Sequence, residues 1–263
     1  MHLHPQWCNA QYAQGRWLLD SSEYNLCALP RPRIVEIVDR SLSYLRHVLG
    51  DRSFTPLSFR AGNWLFQPTQ PAASVLAERG LKIDSSVFKG GLQRSHGLDY
   101  RPSLKNSEFW TFEGDVNEPD TNGYLIEMPI RVDMVPFWRM LTKKRVALHN
   151  RKGDAAQRAA SRPERLRDFM RFRYPLKLDF CRMTLDELTS MMGRIIRIDR
   201  EAPDSLRPVV AIGHTKDLVD LGTVESFLSY LAANSIPVST FAGLYQRLST
   251  HVLASSSSLD VDP

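Results

Sequence analysis

Short runs of β-branched and apolar residues alternate along this chain with longer amphipathic stretches, and no segment repeats another. That rhythm restricts the chain to the α/β class, in which strands share one sheet and the helices between them cover it. The strand-like runs are 2–4, 57–61, 82–86, 124–130, 176–181, 208–214 and 236–240; the helix-like stretches are 33–49, 68–79, 135–146, 163–172, 185–198, 224–233 and 241–248. Thr184 ahead of Asp186 and Glu187, and Thr223 ahead of Glu225, fit helix starts, where exposed N–H groups favour oxygen acceptors and negative charge. Residues 89–122 lack clean periodicity and predict a long excursion from the sheet. A chain of 263 residues with 43% hydrophobic content can bury one large core, expected over residues 1–250, with a disordered tail over 251–263.

Charge and cysteine usage narrow the function classes. The net charge of +5 is local: residues 143–173 hold eleven Lys and Arg against Asp154, Glu164 and Asp168, so the remainder is net negative. A nucleic-acid partner is therefore not expected, whereas the segment from Lys143 to Arg173 suits an anionic surface such as a membrane or lipid-linked phosphates. Cys8, Cys27 and Cys181 are odd in number and widely spaced, which fits neither a disulfide framework nor a Cys-x-x-Cys zinc site. No run approaches the eighteen or so apolar residues of a membrane helix, and the expected compartment is the cytoplasm.

Three runs concentrate chemistry. In His2-Leu3-His4-Pro5, residues i and i+2 of a strand share a face, so both imidazoles can reach one divalent ion, and Pro5 ends the strand. In Ser58-Phe59-Arg60-Ala61-Gly62-Asn63-Trp64, Arg60 stands at a strand's carboxyl end, where α/β folds bind ligands and where its planar fork can hold a carboxylate. In Val209-Val210-Ala211-Ile212-Gly213-His214, an apolar strand delivers an imidazole suited to acid or base work. Each run also has a plain structural reading, as a chance pair, a surface arginine or a satisfied histidine.

These runs, with Asp84-Ser85-Ser86 and Glu127-Met128-Pro129 between them, resemble in order and spacing the motifs of NodB-like polysaccharide deacetylases, over residues 1–248. The likeness is to the branch whose metal motif reads His-x-His-Pro, with Arg-Ala-Gly after the next strand. The resemblance implies a distorted (β/α)7-type barrel and a divalent metal, usually zinc. It implies His2 and His4 as metal ligands, Arg60 as the group orienting a base, and His214 as the acid protonating the leaving amine. The commoner form of the motif spaces its histidines four apart, which falls on Gln6, so His4 serves under the shorter spacing. The family's first motif, Thr-Phe-Asp-Asp, has no counterpart here. The resemblance thus implies a domain entered partway, its first strand and helix missing, with little deacetylase activity in this chain.

The expected substrate is an N-acetylated polysaccharide or glycan. Trp7 and Trp64 are candidate flat surfaces for a sugar ring, and Asp84 a substrate-positioning or structural acid. Two other classes stay open: an amidohydrolase of small non-carbohydrate C–N bonds, and a non-catalytic remnant that binds glycan or anions.

Overall fold

A computed structural model of the chain describes residues 1–140, 142, 144–145 and 173–257. The described strands are β1 (His2–Leu3), β2 (Gln11–Ala13), β3 (Arg16–Leu18), β4 (Ser58–Ala61), β5 (Ile83–Asp84), β6 (Leu92–Gln93), β7 (Leu98–Asp99), β8 (Trp110–Phe112), β9 (Leu125–Glu127), β10 (Val132–Val135) and β11 (Tyr174–Lys177). The described α-helices are α1 (Arg31–Leu49), α2 (Gln70–Glu78), α3 (Leu185–Glu201), α4 (Leu221–Ala233) and α5 (Phe241–Ser257). They form a mixed α/β structure in two compact units, Met1–Pro129 with Ser239–Pro263, and Ile130–Val238.

In the first unit five strands hydrogen-bond in the order β1-β4-β5-β9-β8. The first four run parallel and β8 is antiparallel at the edge. Phe59, Ala61, Ile83 and Leu125 are buried, as strands under helices must be. Helix α1 follows from its pattern: Ile34, Ile37, Val38 and Leu42 recur on one face and are buried, and Pro32 stands in the first turn, where its missing N–H costs nothing. Gly50 ends it in the left-handed region (φ 66°), donating its N–H to carbonyls of the last turn. The adjoining α2 buries Ala72, Ala73, Val75 and Leu76. Arg31–Glu78 and Arg79–Asp39 pairs join the two helices; being exposed, such pairs contribute about 0–1 kcal/mol each, far less than the buried apolar side chains at about 1.5–3 kcal/mol apiece.

In the second unit β10 and β11 pair antiparallel, and isolated parallel bridges join Ile130 to Val210 and Asp179 to Ile212. Helix α3 opens with a reciprocal cap in which Thr184 and Glu187 satisfy each other's backbone N–H groups. Its Leu188, Met191, Met192 and Ile195 pack with Leu176, Leu178, Phe227 and Leu231 into one core.

Several local expectations need correction. Residues 236–240 form no strand: Pro237 has no N–H to pair, and Val238 is 71% exposed. The helix expected from Val135 is preceded by β10, which ends at Val135 before Pro136, and 137–140 is a single 3-10 turn. Residues 208–214 contribute bridges, not a full strand. The excursion over 89–122 contains β6, β7 and β8. Helix α5 continues to Ser257. The helix expected over 163–172 lies outside the described residues, as does most of the basic segment. Of that segment's described residues, Lys144 bonds Asp220 and Arg145 bonds both carboxylate oxygens of Glu187. Among the described residues no helix is long and apolar enough to cross a membrane, and all three cysteines are free thiols.

Candidate functional site

Parallel register brings four polar side chains of the first unit to adjacent strand ends. His2 stands opposite Arg60, Phe59 opposite Asp84, and Asp84 opposite Glu127. The Nδ1 of His2 lies 2.9 Å from the Arg60 carbonyl oxygen. A carbonyl only accepts, so Nδ1 carries the proton and the lone pair of a neutral ring stays on Nε2. That Nε2 lies 3.0 Å from the Nε2 of His4, with the two rings edge to face at 4.7 Å. Although His2 is exposed at its rim, partial desolvation lowers its pKa, opposed by the bond to Arg60's carbonyl and reinforced by Arg60's charge.

Gly62 is required for this approach. A Cβ there would stand 2.3 Å from the Leu3 carbonyl oxygen and 2.9 Å from His4 Nδ1. The Arg-Ala-Gly run therefore has a local reason: the third residue must be bare for the histidine segment to lie against it.

Two imidazole nitrogens around one tetrahedral zinc stand about 3.3 Å apart, given bonds of about 2.0–2.1 Å, so the pair needs to open by only a few tenths of an ångström. Catalytic zinc sites, however, use about three protein ligands. Among the described residues no group of three or more His, Cys, Asp or Glu side chains converges to hold an ion. The donors present fit half of a metal centre and do not complete one.

Among the described residues Arg60 grips no carboxylate by two hydrogen bonds. Its Nε donates to the Ser85 carbonyl at 3.1 Å, and its guanidinium lies 5.7 Å from the Trp64 ring centre. Burial lowers its pKa, and the charges of Asp84 and Glu127 oppose that. Trp64 is half-buried between Arg60 and Phe88 and forms a wall for the arginine. Trp7, by contrast, is half exposed.

Asp84 is fully buried and closed to a ligand. It accepts from the Ser86 N–H at 3.0 Å and the Ser86 hydroxyl at 2.7 Å. Its other partner is Glu127, also fully buried, whose Oε1 accepts from the Val87 N–H at 3.1 Å. Among the described residues Glu127 Oε2 has no donor facing it. Two carboxyl groups can bond there only by sharing a proton, and desolvation together with the charge of Asp84 drives the Glu127 pKa well up, favouring that proton. Desolvation raises Asp84 as well. Sequence reasoning gave Glu127 no role; its signal was an acid in the buried run Leu125-Ile126-Glu127.

The second unit holds His214 in a different setting. The Phe180 N–H donates to the Ile212 carbonyl and the Ile212 N–H to Leu178, which sets Asp179 and Cys181 beside the strand end carrying His214. Gly213 permits this closeness, since a Cβ would meet the Phe180 ring at 2.3 Å. The Nδ1 of His214 is sealed from solvent and has no hydrogen-bond partner among the described residues. Burial lowers the His214 pKa, and the Asp179 carboxylate is the main opposing influence. Asp179, raised by its own burial, accepts from the N–H groups of Cys181 and Arg182, while Arg182 donates twice to the buried Asp217. Lys177 nearby is pulled down to about 7, chiefly by desolvation. Asp179, Asp217 and Lys177 escaped the sequence reading because isolated acids and lysines carry no spacing signal.

The first unit thus offers two facing imidazole nitrogens beside a half-buried arginine, and the second an imidazole whose proton affinity is lowered by burial and raised in part by a buried acid. The chain matches no protein-family model, no curated protein and no solved structure.

Proposed function

We propose that the chain is a carbohydrate N-deacetylase-type hydrolase, cleaving the acetamide C–N bond of an N-acetylated sugar in a polysaccharide or glycolipid precursor. One observation carries the reading: the Nε2 atoms of His2 and His4 face each other at 3.0 Å, with the His2 tautomer fixed by the Arg60 carbonyl. Such a pair suits a divalent cation such as zinc, and orientation of a ligating histidine through its other nitrogen is the usual supporting arrangement. The motif resemblance agrees with it and brings the finer expectation of a (β/α)7-type barrel.

In the net reaction water adds its oxygen to the acetyl carbon, the C–N bond breaks, acetate leaves and the amine nitrogen gains a proton. Arg60, on the strand beside His2, sets a fixed positive charge that favours an oxyanion or carboxylate in its field. The motif resemblance assigns protonation of the amine to His214, and within the second unit Asp179 raises that imidazole's affinity for a proton. The cation is proposed as a partner of the histidine pair only.

The test is amine release from an N-acetylglucosamine oligomer by the full chain, with and without added zinc. Slow, cation-stimulated release that disappears in His2→Ala and in His214→Ala is expected. Absence of stimulated release, or release indifferent to both substitutions, contradicts the reading.

A further inference from the structure

Residues 11–19 are exposed at every position, yet they include Tyr12, Trp17, Leu18 and Leu19. They form the β2–β3 hairpin, in which Gln14 (φ 52°) and Gly15 (φ 75°) make a two-residue turn of the kind that suits hairpin twist. Tyr12 and Trp17 are cross-strand partners, so both rings stand on one face. Their centres are 5.3 Å apart, and Trp7 adds a third ring 6.0 Å from Trp17, each pair meeting at 61°. Such edge contacts leave ring surface open: Trp7 is 50% exposed, Tyr12 65% and Trp17 57%. Three large apolar rings held in mutual contact at the surface are an expense in solvation that a purely structural hairpin does not need.

We propose that Trp7, Tyr12 and Trp17 form a binding subsite for a pyranose ring of an oligosaccharide, beside the His2–His4 pair; the choice of ligand rests on the carbohydrate reading above. A sugar ring presents a flat C–H face and an equatorial rim of hydroxyls. Aromatic rings cover the first, and the exposed amides of Asn9, Gln11 and Gln14 are donors and acceptors for the second. The subsite adjoins the histidines through the chain itself, because the Trp7 N–H donates to the His4 carbonyl at 3.0 Å.

Two other occupants fit poorly. The open ring surface is roughly 300–400 Å², taking about 150–250 Å² for each whole aromatic side chain, whereas a stable dimer buries about 800 Å² per partner. An anionic bilayer draws on clustered Lys and Arg, and residues 5–23 hold one, Arg16, against Asp20 and Glu23.

Calorimetric titration of the full chain with chitohexaose tests the subsite. Saturable binding is expected, weakened about tenfold or more in Trp17→Ala and largely kept in Trp17→Phe, which retains a ring. Because Trp17 is exposed, circular dichroism of these variants should match that of the original chain. Binding should also persist in the His2→Ala, His4→Ala double variant, so failure of the hydrolase reading does not remove it. The subsite is overturned if the unsubstituted chain binds no chitohexaose, or if Trp17→Ala binds it equally well. It is likewise overturned if Trp17→Ala abolishes only self-association or co-sedimentation with phosphatidylcholine–phosphatidylglycerol vesicles.

Discussion

Asp84 and Asp179 are both carboxyl groups at or just beyond a strand end, both buried and both raised above the ordinary range by burial, yet they stand in opposite circumstances. Asp84 is surrounded by its own supports, the Ser86 N–H and hydroxyl and the acid of Glu127, and has no route to a ligand. Asp179 spends its hydrogen bonds on two backbone N–H groups and keeps its field for Arg182 and His214, whose Nδ1 has no bond among the described residues. A buried acid whose oxygens are taken by neighbouring donors holds a fold in place; one whose charge acts on an imidazole shifts that ring's proton affinity.

The largest effect that would break this contrast is on stability. Asp84→Ala strands two serine donors and Glu127 in the core, and should cost about 3 kcal/mol or more in urea unfolding, since each stranded buried group costs about 1–3 kcal/mol. Asp179→Ala, whose acceptor duties are two N–H bonds, should cost roughly half as much. Equal losses would remove the distinction.

A finer effect concerns pH. The folded pKa of Glu127 lies above its unfolded value, so its contribution to stability is complete below the ordinary carboxylate range and is lost as pH rises through the elevated folded value. Glu127→Gln keeps a donor toward Asp84 and cannot ionise, so this loss of stability with rising pH should flatten. An unchanged pH profile of unfolding would show that the pair holds no proton.

The smallest effect is on a titration. Asp179→Asn keeps the bonds from Cys181 and Arg182 and removes the charge that raises His214. The His214 ring signals in NMR should then titrate at lower pH. No displacement would mean that Asp179 serves the backbone alone.

The sequence made the scaffold legible where one physical rule acted alone. Apolar spacing placed α1, α3 and α4 to within a few residues, and the Thr184–Glu187 cap was readable as letters. Strand ends carrying His2, Arg60 and Asp84 were also legible, because buried parallel strands are short apolar runs that stop abruptly. Misreadings arose where rules conflict. The β-branched residues of 236–240 suggested a strand, but Pro237 cannot donate to a ladder. The β2–β3 hairpin was overlooked because Gln-Gly is a weaker turn signal than Asn-Gly. For the site, letters located His2, His4 and His214 but not what each one faces. That Asp84 is closed in by Glu127, or that Gly62 makes room for His4, depends on register between strands far apart in sequence.

The central proposal is that the histidine pair supplies two of the ligands of a divalent cation, and zinc titration of the full chain by calorimetry tests it most directly. One zinc per chain should bind, with binding lost in His2→Ala and in His4→Ala and retained in Glu127→Gln. Failure to bind zinc, or binding that survives loss of both histidines, would contradict it.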